Sequence, residues 1–129
     1  MTYYNSQVIK IREEHIPNEH TIKQLINARK FIDENYCESI SLQLISGSSF
    51  LSKFHFARLF KQAYGQTPHQ YITDKRMMLA KHLLSTDVPV TETCFRIGFE
   101  SQPSFSAAFK KYSGFTPSGF KNSNFQYVK

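Results

Sequence analysis

Ser52-Lys53-Phe54-His55-Phe56-Ala57-Arg58-Leu59-Phe60-Lys61, closed by Gly65-Gln66-Thr67-Pro68, recurs in outline 49 residues later. Ser101 stands over Ser52, Phe105 over Phe56, Phe109 over Phe60, Lys110 over Lys61, Gly114 over Gly65, Thr116 over Thr67 and Pro117 over Pro68. Laying residues 52–71 on 101–120 gives seven identities in twenty positions, with Tyr71 over Phe120 similar. Each shared residue has a physical task. Ser accepts a backbone N–H of the first turn and starts a helix. Two Phe four residues apart share one helix face. Gly ends the helix in a left-handed conformation. Thr-Pro opens the next helix, as cap and first helical residue. Each copy follows a short apolar stretch and a turn, so the repeated unit is short helix, turn, longer capped helix, which is a helix-turn-helix plan.

Working outward, apolar residues Ile22, Leu25, Ile26, Ala28, Phe31 and Ile32 step by threes and fours, predicting a helix over residues 22–36 with Thr21 as its cap. Ser41 caps a short helix over 42–46 carrying Leu42, Leu44 and Ile45, and Gly47-Ser48-Ser49 reads as a turn. The repeat helix over 52–64 turns Phe56, Leu59 and Phe60 inward. From Pro68 to about position 84, Tyr71, Ile72, Met78, Leu79, Ala80 and Leu83 cover much of a helix circumference, which predicts a central helix packed on more than one side. Asp87-Val88-Pro89 breaks it, a helix over 90–97 ends at Gly98, and the second repeat helix runs over 101–112. After Thr116-Pro117 only a short turn is expected, with a polar, frayed tail. The fold class is all-α, about seven helices. Its expected divisions are an N-terminal arm (1–20, with Val8, Ile9 and Ile11 as an apolar patch), a first module (21–67), a linker helix (68–85), a second module (86–122) and a tail (123–129).

Charge is unevenly placed. Residues 1–38 hold five Lys/Arg and six Asp/Glu, a sum of −1, whereas residues 39–129 hold eleven and four, a sum of +7. A basic body of this kind attracts polyanions, either nucleic acid or an anionic surface. No apolar run approaches the ~20 residues of a membrane helix, and the first residues lack a signal-peptide pattern, which predicts a cytoplasmic protein. Cys37 and Cys94 belong to no CxxC pair and read as small, partly buried thiols. His15, His20, His55, His69 and His82 have no metal-ligand spacing, there is no Gly-rich phosphate loop, and Asp74, Asp87, Glu92 and Glu100 form no catalytic pair. The expectation is no enzyme and no cofactor.

These strings, with Gly98-Phe99-Glu100-Ser101-Gln102 and Gly114-Phe115-Thr116-Pro117, resemble the DNA-binding domain of AraC/XylS-type transcriptional regulators over about residues 22–121. The resemblance implies two homeodomain-like helix-turn-helix modules joined by a linker helix. Their recognition helices would enter successive major grooves about 34 Å apart, so that a monomer reads an asymmetric site. The implied partners are double-stranded DNA and RNA polymerase. The implied base-reading residues are Lys53, Phe54, His55, Ala57 and Arg58 in the first module, and Gln102, Pro103, Ser104, Ser106 and Ala107 in the second. Arg58 is the strongest, because Arg donates a bidentate pair to guanine. Ser52, Lys61, Thr67, Ser101, Lys110, Lys111 and Thr116 are the implied phosphate contacts, the two Thr through free N–H groups at helix starts.

Two departures from the family pattern stand out. Ala107 takes the place of Arg58 in the repeat and Pro103 lacks an N–H, so the second module should read bases weakly. Ser46 and Phe50 replace a small residue and a Gly of the family's first turn, which puts the aim of the first recognition helix in question. Family members usually carry a separate effector or dimerisation domain, so the chain reads as a stand-alone regulator, which Met1 favours, or as a fragment. The alternative function is a helical protein-interaction module without DNA binding, which would not need so basic a body.

Overall fold

In the computed structural model the described residues are 19–47 and 52–128, with side chains through residue 123. The arm over 1–18 and Phe50, with the expectations attached to them, lie outside the described residues. Seven helices follow one another: α1 (Glu19–Asn35), α2 (Leu42–Ser46), α3 (Lys53–Tyr64), α4 (Pro68–Ser85), α5 (Val90–Arg96), α6 (Gln102–Ser113) and α7 (Pro117–Val128). Among the described residues there is no strand, and no helix is long and apolar enough to cross a membrane.

The helix ends follow the repeat. Ser52 Oγ accepts from the N–H of His55, and Ser101 Oγ from that of Ser104. Gly65 and Gly114 sit in the left-handed region at φ 79° and 84° and donate their N–H groups to the Lys61 and Lys110 carbonyls. Thr67 Oγ1 accepts from the N–H of Gln70, whose Oε1 accepts from the N–H of Thr67, a reciprocal capping box. Thr116 Oγ1 accepts from the N–H of Gly119 in the second copy.

Two compact units result. In the first, residues 19–35, 40–47 and 52–73, the core is Leu25, Ala28 and Ile32 of α1 against Phe56, Leu59, Phe60, Ala63 and Tyr64 of α3, with Tyr71 and Ile72 from the start of α4. Phe60 lies 4.7 Å from Tyr64 and edge-on to Tyr71 at 6.0 Å. The Tyr71 hydroxyl donates to Asp33 at 2.6 Å, so this ring is buried with its polar end satisfied.

The second unit comprises residues 36–39 and 74–128. Met77, Ala80, Leu84, Cys94, Ile97, Phe105 and Phe109 form its core, and Leu79, Leu83, Val90, Phe99, Ala108 and Phe120 pack on it. A ladder of rings runs from Phe99 through Phe105 and Phe109 to Phe120, with centroids 5.5–5.7 Å apart. Arg76 threads this unit. Its Nε donates to the Tyr36 carbonyl at 2.6 Å, its Nη2 to the Glu38 carbonyl at 2.9 Å, and its guanidinium lies 5.8 Å from the Phe99 ring centre. Between those two carbonyls, that of Cys37 faces Gly98, where a Cβ would approach it to 2.6 Å. The division between the two units falls inside α4, between Thr73 and Asp74.

Three expectations change. Met78 is 61% exposed and Met77 is fully buried in its place. The periodicity of α4 is ambiguous there because adjacent Met residues offer two registers of the same apolar stripe. Thr21 lies inside α1, two residues past its first described position, and is not a cap. The last element is a helix of 12 residues, not a short turn. Long-range contacts hold it: Phe120 meets Phe109 edge-on, while Lys121 donates to the Val88 carbonyl at 3.0 Å and pairs with Asp87 at 3.3 Å. Cys37 and Cys94 are free, and burial pushes both thiols above their ordinary pKa.

Candidate nucleic-acid interface

Helices α3 and α6 are amphipathic in the same frame. Phe56, Leu59 and Phe60 of α3 are buried, as are Phe105 and Phe109 of α6. The opposite faces carry the expected readers. In α3, Lys53, Phe54, His55, Arg58 and Lys61 are exposed and Ala57 is half-buried. In α6, Gln102, Pro103, Ser104, Ala107, Lys110 and Lys111 are exposed and Ser106 is half-buried, as is Ser101 at its cap. Each set is brought together on one face of its own helix by the core contacts behind it. Neither helix contains an acidic residue, so α3 presents three cationic side chains and α6 two without an internal carboxylate to neutralise them.

Local contacts shape the reading face of α3. Arg58 Nη2 lies 3.4 Å from His55 Nδ1, one turn away. Lys53 Nζ stands 5.3 Å from the centre of the Phe54 ring, and that ring is 66% exposed. An exposed Phe at the start of a capped, basic helix is available for an apolar contact such as a thymine methyl.

On α6, Pro103 sits in the first turn, where its missing N–H costs nothing. Ser101 Oγ donates to Ser104 Oγ at 2.9 Å. Thr91 of α5 donates its hydroxyl proton to Gln102 Oε1 at 3.2 Å, across the turn of the helix-turn-helix. Sequence reasoning missed Thr91, because a contact between two helices eleven residues apart has no local signature. The remaining expected residues are engaged differently from one another. Ser52, Thr67 and Thr116 use their hydroxyls as helix caps, and the Thr67 N–H is already donated to Gln70, so it competes with any phosphate for that group. Among the described residues no group of three or more His, Cys, Asp or Glu is gathered to hold a metal.

Comparison with known proteins agrees with this geometry. The family model described as "Helix-turn-helix domain" matches residues 46–123. The multiple antibiotic resistance protein MarA of Escherichia coli is 33% identical over 97 residues, covering 74% of this chain and 76% of MarA. The probable transcriptional regulator LumQ of Photobacterium leiognathi is 37% identical over 92 residues, 70% of this chain but 37% of LumQ. Among solved structures, the C-terminal domain of AraT, a response regulator from Geobacillus stearothermophilus, superposes with a TM-score of 0.72 at 29% identity, covering 78% of this chain and 84% of that one. The DNA-binding domain of AdpA, a global transcriptional factor solved in complex with a target DNA, gives 0.71 at 25% identity, covering 77% and 90%. The chain therefore belongs to the AraC/XylS family of transcriptional regulators, and it carries that family's all-helical, DNA-binding helix-turn-helix domain.

Proposed function

We propose that this chain binds double-stranded DNA as a single copy, with α3 and α6 each in a major groove, and so reads an asymmetric site of two unlike half-sites. The observation that carries the reading is the pair of acid-free helices, each with a Ser cap, an aromatic inner face and a polar or basic outer face, set in one repeated frame. Arg58 is the principal base reader of the first module, with Phe54 against a thymine methyl and Lys53, His55 and Ala57 beside them. In the second, Gln102, Ser104 and Ser106 reach base edges, while Pro103 and Ala107 offer only apolar contact. Lys61, Lys110 and Lys111 neutralise phosphates and set register without reading sequence. Ser52, Ser101, Thr67 and Thr116 act chiefly by capping, which aims the helix N-termini, and their positive dipole ends, at the backbone. The domain acts as a regulator without catalysis, in a bacterial cytoplasm, and meets RNA polymerase at the promoter.

Selection from a random duplex library tests this. The wild-type chain should enrich a motif of two different blocks. Arg58→Ala should flatten one position in one block, at a cost of about 1–3 kcal/mol, and leave the other block intact. Enrichment of a palindrome, or of nothing, would contradict the reading.

A further inference from the structure

The side chain at the start of α6 is held in a defined hydrogen-bonding role by a partner that does not itself face DNA in the proposal above. Gln102 is the first residue of α6, and an unconstrained amide there presents both a donor and an acceptor. Such an amide suits adenine, whose major-groove edge pairs the N7 acceptor with the N6 donor. In this chain the Thr91 hydroxyl donates to Gln102 Oε1 at 3.2 Å. That bond turns the amide so that its oxygen points back at α5 and its Nε2, with two N–H groups, points away. Ser104 Oγ lies 2.9 Å from Ser101 Oγ, within the cap of the same helix. Apart from the Ser104 hydroxyl and the half-buried Ser106 hydroxyl, the rest of the face offers no competing acceptor: Pro103 and Ala107 have no polar side-chain atom, and Lys110 and Lys111 only donate. The carboxylates of Glu92 and Glu100 stand outside α6, on α5 and in the turn.

We propose that the second module reads by donation from Gln102, with Thr91 as a positioning residue that turns Gln102 away from adenine and toward guanine, whose edge offers the two acceptors N7 and O6. The inference rests on α6 being a base-reading helix. Thr91 carries the selectivity without touching the base, and the half-site facing α6 contains a guanine where Gln102 docks.

The test is selection from a random duplex library with the full chain, comparing wild type, Gln102→Ala, Thr91→Val and Thr91→Ser. The position whose preference collapses in Gln102→Ala marks the docked base. Wild type and Thr91→Ser should prefer guanine there. Thr91→Val keeps the side-chain shape but frees Oε1, and should shift the guanine-to-adenine ratio toward adenine by about five-fold or more, the span of a lost bidentate discrimination. Thr91→Ser retains the hydroxyl and shows that any change in Thr91→Val is due to the hydrogen bond and not to altered packing of α5. An unchanged ratio in Thr91→Val, or adenine preferred by the wild type, overturns the inference and leaves the DNA reading standing. No position sensitive to Gln102→Ala overturns the inference together with base reading by Gln102, while enrichment of no motif by the wild type overturns the DNA reading itself.

Discussion

Gly98 and Gly114 have similar backbones and different surroundings, and that difference yields a sharp stability prediction. Both lie at positive φ, 101° and 84°, where an L side chain is strained by about 1–2 kcal/mol. At Gly114 an added Cβ meets nothing within 4 Å, so Gly114→Ala should cost only that strain. At Gly98 the Cβ would lie 2.6 Å from the Cys37 carbonyl oxygen and 3.1 Å from the Arg76 guanidinium carbon. Backbone must move there, and the carbonyls on either side of Cys37 are the two that Arg76 holds. Overpacking of this kind adds about 1–3 kcal/mol. Gly98→Ala should therefore destabilise by about 2–5 kcal/mol, exceeding Gly114→Ala by at least about 1 kcal/mol. Urea unfolding followed by far-UV circular dichroism measures both, and a crystal structure of the Gly98→Ala variant would show the displaced carbonyl. Equal costs for the two substitutions would refute the close approach as the reason for a glycine at this position.

Arg76→Ala removes two charge-assisted bonds from the Tyr36 and Glu38 carbonyls. Because Arg76 and the loop are only partly buried, water recovers some of this, and a loss of about 2 kcal/mol is expected by urea unfolding, with Arg76→Lys intermediate. Thr93 is fully buried in α5, and its hydroxyl has no partner among the described residues. Thr93→Val, the same shape without the hydroxyl, should raise stability by about 1 kcal/mol in the same assay; a loss would mean the hydroxyl is satisfied in solution.

Much of the fold is legible because its punctuation is local. Ser52, Ser101, Gly65, Gly114, Thr67 and Thr116 declare helix ends within four residues of themselves, and the structure uses each at its expected place. The inward set Phe56, Leu59, Phe60, Phe105 and Phe109 follows from helical period alone. What the sequence hides is carried by pairs far apart in the chain. The full length of α7 depends on Phe120 with Phe109 and on Lys121 with Asp87, since a run rich in Asn and Ser has little helix preference of its own. Arg76 reads as one more cation on a helix until its bonds to a loop 40 residues earlier are seen. Tyr71 and Ile72 of α4 pack in one unit and Met77, Ala80 and Leu84 in the other, a partition that its continuous helical pattern does not show. On the candidate interface the exposed faces of α3 and α6 follow from the helical period of their buried faces, whereas the hydrogen bond from Thr91 to Gln102 joins two helices and has no local signature.

The most direct test of the central claim is fluorescence anisotropy of the chain with a selected duplex of about 25 base pairs and a random one of the same length, across a salt series. The phosphate contacts proposed for the exposed Lys61, Lys110 and Lys111 predict that log K falls with log salt at a slope of about −3 or steeper. The selected duplex should bind more tightly than the random one throughout. Absence of binding at the lowest salt, or a slope near zero, would contradict DNA recognition by this chain and favour a protein partner for the same basic faces.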